Sequence, residues 1–152
     1  MTGVQTCALP ISQLSHLRLH GMGRTWQVLT ETRRQHELNL VEGLELLLQA
    51  EQQERSNSRF ERLRKSAKFR YQASIEELKL DASRGIDRGL ITTLATGDYL
   101  SKGESILITG ATGCGKSFLA SALGHQACAQ GYKVAYHNIQ KLLLKTKIGN
   151  HC

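Results

Sequence analysis

The sequence predicts an α/β chain in which a parallel-sheet core is preceded by an all-α N-terminal module, and three observations carry the prediction. Residues 110–117, Gly-Ala-Thr-Gly-Cys-Gly-Lys-Ser, complete the pattern G-x-x-x-x-G-K-[ST]. The run before them, Ser105-Ile-Leu-Ile-Thr109, is short, apolar and β-type, while Phe118–Gln130 has helical spacing broken only by Gly124. Residues 133–137 then read as a second strand and a helix follows from Ile139, so the order βαβα implies a parallel sheet with a right-handed crossover. By contrast, residues 12–72 show helical apolar spacing.

Taken in order, residues 1–11 hold the one proline and no amphipathic period; they resemble a translated sequencing adapter and are expected to be a gene-assembly scar. Leu14, Leu17 and Met22, an interruption at Gly21-Met22-Gly23, and then Trp26 and Leu29 fit two short helices. Asn39 with Glu42 three residues on is a capping-box pattern, and Leu40, Leu44, Leu47 and Leu48 form one apolar stripe over a helix at 40–54. Ser58 and Glu61 repeat the pattern, so the next helix either restarts there or continues the last. Phe60, Leu63, Ala67 and Tyr71 are its apolar positions. Residues 73–84 read as a linker, and 85–152 as the N-terminal part of the second domain, with a helix at 87–96. Gly131 suits the end of the helix after the loop, and Asn138 suits the cap of the helix from Ile139.

The loop pattern has a direct chemical meaning. A triphosphate needs many N–H donors on a tight inward curve, which favours glycine at 110, 113 and 115. Lys116 supplies a mobile positive charge for the β and γ phosphates, Ser117 a hydroxyl for Mg²⁺, and the following helix its N-terminal partial charge. ATP and Mg²⁺ are therefore the expected cofactors.

A net charge of +7 and a pI near 9.5 favour a polyanionic partner, duplex DNA in the first instance. The stretch 54–71 concentrates this charge in Arg55, Arg59, Arg62, Arg64, Lys65, Lys68 and Arg70, and the last helix adds Lys141 and Lys145 one turn apart. All of these except Arg70, eight residues in all, are the candidate DNA contacts; solvated helix faces are the plainer alternative. Cys7, Cys114, Cys128 and Cys152 lack metal-ligand spacing, and His16 with His20 lacks a third ligand. With no secretory segment and no apolar run of about 20 residues, a cytoplasmic location without membrane contact is expected.

Leu17–Met22, Gln49–Tyr71, Gly85-Ile-Asp-Arg88, the loop at 110–117 and Gln140–Leu144 together resemble the IstB family of insertion-sequence helper ATPases. That family is related to the DnaC helicase loader within the AAA+ class of P-loop NTPases. The resemblance spans about residues 14–148. It implies an ATP-dependent oligomer on duplex DNA that helps select target sites and recruits a transposase. It also assigns Gly110, Thr112, Gly113, Cys114, Gly115, Lys116 and Ser117 to the phosphate loop and 85–91 to the segment approaching the adenine. The family's Walker-B carboxylate, sensor, arginine finger and lid have no counterpart here, so the chain is expected to be truncated, with no catalytic residue of its own and negligible turnover. Two other readings stay open: a helicase-loader-type adaptor switched by ATP, and an inactive nucleotide-binding fragment.

Overall fold

A computed structural model describes residues 5–78 and 86–149 of the 152. The chain divides into two compact units, 1–59 and 60–152.

The first unit contains α1 (Gln5–His16), α2 (His20–Glu31), a short 3-10 turn (Arg34–His36) and the greater part of α3 (Leu40–Ala67). Asn39 and Glu42 form the reciprocal box: Glu42 N–H donates to Asn39 Oδ1 at 2.9 Å, and Asn39 N–H donates to Glu42 Oε2 at 3.1 Å. The helix this box starts continues through Ser58 without restarting. The break between α1 and α2 falls at 17–19, whereas Gly21 and Gly23 lie inside the first turns of α2. Packing explains why glycine stands there. A Cβ at Gly21 would lie 2.5 Å from the Ala50 carbonyl oxygen and 2.7 Å from Glu51 Cα, so the glycine permits α2 to approach α3 rather than interrupting a helix.

That approach delivers Glu51 to the N-terminus of α2. Gly21 N–H donates to Glu51 Oε2 at 2.8 Å and Met22 N–H at 3.3 Å, while Arg55 Nε donates to Oε1 at 2.8 Å. Leu19 at the N-cap position offers no side-chain acceptor, so a buried carboxylate thirty residues away satisfies α2's first free amides. Arg24 and Glu54 pair across the same two helices. The leucine stripe of α3 is mostly uncovered: Leu40 is 88 % exposed, Leu44 51 % and Leu48 54 %.

The second unit contains the end of α3, then α4 (Arg88–Ala95), α5 (Asp98–Lys102), α6 (Lys116–Ala129) and α7 (Ile139–Gly149). Local signals set its helix ends. Asp87 accepts from Gly89 N–H at 2.9 Å to start α4, and Asn138 Oδ1 accepts from Gln140 and Lys141 N–H at 3.0 and 3.3 Å to start α7. At the end of α6, Gly131 N–H reaches the Cys128 carbonyl at 3.0 Å and Tyr132 N–H reaches that of Ala127 at 2.9 Å, the paired closure of a Schellman turn. Ala122, Leu123, Ala127 and Cys128 bury one side of α6, with Ile91 of α4 also in the core. Gln126 and Gln130 reach back from α6 to donate to the last carbonyls of α4, at 3.0–3.2 Å.

The expected parallel sheet is overturned. Among the described residues no strand forms; 104–110 and 132–138 lie outside any helix and join no ladder. A helix satisfies its own backbone, but a strand needs a neighbour across a ladder, and these two segments do not serve each other. Glu104 N–H bonds back to Tyr99, and Tyr136 N–H donates at 3.0 Å to the Ala67 carbonyl at the end of α3. Apolar sequence did not bring cover either, since Leu107 is 87 % exposed. The described chain is thus helical in both units.

Tyr71 leaves the apolar positions of α3 because the helix ends at Ala67, where Lys68 adopts φ +55°. Of the linker at 73–84 only 73–78 are described, and they carry a turn in which Ser74 and Glu77 bond reciprocally at 3.3–3.4 Å. Of residues 1–11, 5–11 belong to α1; residues 1–4 and 150–152 lie outside the described part.

Candidate phosphate loop and basic surface

The loop at 110–117 leads the chain from the irregular segment at 104–110 into α6. Gly113 at φ +82° and Gly115 at φ +93° occupy the left-handed region that side chains resist, and Gly115 is the residue immediately before the first helical turn. The bend therefore depends on glycine at those places, and it leaves Lys116 and Ser117 on the N-terminal turn of a 14-residue helix whose dipole favours an anion. Gly110 matters through proximity: a Cβ there would stand 3.0 Å from Cys114 Sγ.

Lys116 folds back over the loop. Its Nζ donates to the carbonyls of Gly110 at 2.7 Å and Ala111 at 2.5 Å, with Cys114 Sγ at 3.8 Å. The ammonium is thus held at the loop's edge by neutral oxygens, which an anionic oxygen can replace with a stronger charge-assisted bond. Gly110, Gly113, Cys114, Gly115 and Lys116 line a cavity of about 590 Å³ whose other walls include Ile86, Ile108 and Leu119. Apolar side chains thus meet the polar loop, as an organic group carrying phosphates requires. Ile86 belongs to the segment expected near an adenine; Gly85 lies outside the described residues. Thr112 is exposed in the turn, and Ser117 is exposed on α6, its carbonyl accepting from Ser121 Oγ at 2.8 Å.

Of the two described free cysteines, Cys114 is exposed, whereas Cys128 is buried and burial pushes its thiol pKa up. Among the residues searched, no group of three or more His, Cys, Asp or Glu side chains could hold a metal, and no helix is long and apolar enough to cross a membrane.

The structure separates the candidate DNA contacts into distinct settings. Arg55 pairs with Glu51, and Arg64 reaches Glu61 through two nitrogens at 3.2 and 2.7 Å; the Arg64 hydrogen bonds hold the Glu61 carboxyl below its ordinary range. These two cations already have carboxylate partners one turn away. Arg59, Arg62 and Lys65 are exposed on α3, and Lys145 is exposed on α7. Lys68 and Lys141, distant in sequence, line one cavity together with Arg70, which belongs to the charged stretch at 54–71 but is not among the eight candidate contacts.

Comparison with known proteins finds relatives along most of the chain. The family model described as IstB-like ATP binding protein matches residues 12–151. A Pseudomonas fluorescens relative named for insertion sequence IS1162 and ATP binding is 43 % identical over 141 residues, covering 92 % of this chain and 61 % of its own length. One from Sinorhizobium fredii, y4pL, also named for an insertion sequence and ATP binding, is 33 % identical over 87 % of this chain and 54 % of its own. The Pseudomonas aeruginosa protein named for IS21 and ATP binding is 30 % identical over 90 % and 53 %. The chain spans between about half and three fifths of the length of these relatives. The chain belongs to the IstB-like ATP binding protein family.

Proposed function

We propose that the loop at 110–117 binds ATP with Mg²⁺, and that the protein serves as an ATP-binding helper in transposition of an insertion sequence. The observation that carries this reading is the glycine-shaped bend that sets Lys116 at the mouth of a mixed polar and apolar cavity on a helix N-terminus. The residues fit the ligand: backbone amides and Lys116 for the phosphates, the exposed Ser117 hydroxyl for Mg²⁺, and Ile86 for the base. The relatives' names, joining ATP binding with insertion sequences, support the wider role. In this role the partners are duplex DNA, a transposase and further copies of the chain, in the cytoplasm, with target-site selection as the outcome.

The test of the ATP site is a titration of ATP against AMP. Two further phosphates add charge-assisted bonds worth ~1.5 to 3 kcal/mol each, so ATP should bind at least tenfold tighter than AMP in the presence of Mg²⁺. Equal affinities would remove the loop from the site.

The duplex DNA contact is tested by salt dependence. Reversing charge at Arg59 and Arg62 should weaken duplex binding without regard to sequence and lower the log–log salt slope by roughly 1 per lost contact. Should affinity and slope stay put, those residues are a solvated face, and a fall on reversing Lys141 and Lys145 instead would assign the contact to α7.

A further inference from the structure

We infer that Lys68, Arg70, Lys141 and Tyr136 form a binding site for single-stranded nucleic acid, the cations holding phosphates and the tyrosine ring stacking on a base. The site is separate from the phosphate loop and does not rest on its reading.

The four residues line one open cavity of about 660 Å³, together with Asn138. Their assembly has a specific cause. Tyr136 N–H donates to the Ala67 carbonyl at 3.0 Å, tying the end of α3 to the segment that leads into α7. This bond brings the residues just after Ala67 beside the start of α7, where Lys141 stands in the first turn. The backbone at Lys68 strengthens the point. Its φ of +55° is the conformation that commonly ends a helix on glycine, yet a lysine occupies it.

None of the three cations has a carboxylate within ion-pair distance among the described residues, in contrast to Arg55 and Arg64. Three clustered positive charges repel one another, and an anion is the ligand that relieves them. Arg70 is placed over the Tyr71 ring at 5.3 Å, a cation–π contact that limits its motion while leaving its donors free for a phosphate.

The aromatic member decides between kinds of nucleic acid. Tyr136 is anchored by its backbone bond and by an edge contact with Phe69 at 6.5 Å, and Phe69 in turn lies 4.4 Å from the His125 ring. A ring fixed beside phosphate-holding cations suits unstacked bases, which every single strand offers and a duplex hides inside its own stack.

The experiment measures anisotropy of a short dye-labelled single strand, and of the matching duplex, with the full chain at several salt concentrations. Loss of this site should weaken the single strand more than the duplex, for which Arg59 and Arg62 are proposed contacts in their own right. Lys68→Gly removes the cation while suiting the backbone, so it should keep the fold and lower the salt slope by about 0.7; Arg70→Gln and Lys141→Gln should do the same. Tyr136→Leu should weaken binding roughly tenfold with the slope unchanged, while Tyr136→Phe keeps the affinity. Lys116→Ala should leave strand binding intact, which keeps failure of the ATP site distinct from failure here. Equal losses for duplex and single strand on changing Tyr136, or unchanged affinity and slope in the three cation variants, would overturn the site. Displacement of the strand by ATP or inorganic phosphate in the Lys116→Ala protein would also overturn it, by showing a small-anion site instead.

Discussion

Lys116→Ala lowers ATP affinity by about one to two decades, the largest functional effect expected of a single substitution here. The physical reason is that Lys116 is the one side chain of the loop that carries charge, and its Nζ rests on the Gly110 and Ala111 carbonyls within reach of the same cavity. A charge-assisted bond to phosphate is worth ~1.5 to 3 kcal/mol, and alanine removes it without touching the glycines that shape the bend. Titration with a fluorescent ATP analogue reads the change directly. The thermal unfolding midpoint without nucleotide should move little, because the bonds lost are to exposed neutral carbonyls. Parental affinity in the variant would show that the lysine merely ties the loop to itself.

The largest effect on stability is expected at Glu51. Its carboxylate is buried and accepts from two backbone amides of α2 and from Arg55, so Glu51→Ala strips a helix N-terminus of its only observed side-chain acceptor. The cost should be about 2 kcal/mol, combining a lost cap with a lost charged hydrogen bond; Arg55 is two-thirds exposed and its share is discounted accordingly. Urea unfolding measures it.

The same residue sets an acid dependence. Arg55's hydrogen bond first, and then those of Met22 and Gly21, hold the Glu51 pKa below its ordinary value against the opposing cost of burial. A carboxyl depressed in the folded state releases protons more readily there than in the unfolded chain. Its stabilisation is therefore complete above the ordinary glutamate pKa, about 4.3, and is lost as pH falls from there through the folded value. Glu51→Gln should flatten that acid limb. An identical limb in parent and variant would assign acid sensitivity to other carboxylates.

Legibility in the sequence followed distance along the chain. Asn39 with Glu42, Gly131 and Asn138 could each be read because every one acts on backbone within a few residues of itself. The turn at 110–117 could be read for the same reason: its glycines, its lysine and the helix it opens are contiguous. The sheet failed on this very ground. Apolar runs at 105–109 and 133–137 specify extended backbone locally, but pairing requires a partner that local pattern does not supply. The leucine stripe of α3 failed similarly, since period 3.6 marks a face able to pack without naming what covers it.

By itself, then, the sequence determined the caps at Asn39, Gly131 and Asn138, the glycine turn at 110–117 and the excess of positive charge, all consequences of residue type acting on its immediate neighbours. Tertiary structure alone decided that Glu51 caps a helix thirty residues earlier, that Gly21 serves close packing, and that the Ala67–Tyr136 bond gathers Lys68, Arg70 and Lys141 around one cavity. The physical reason is common to all three. Each depends on an approach between segments far apart in the chain, fixed by the packing of whole elements and invisible in the spacing of any one of them.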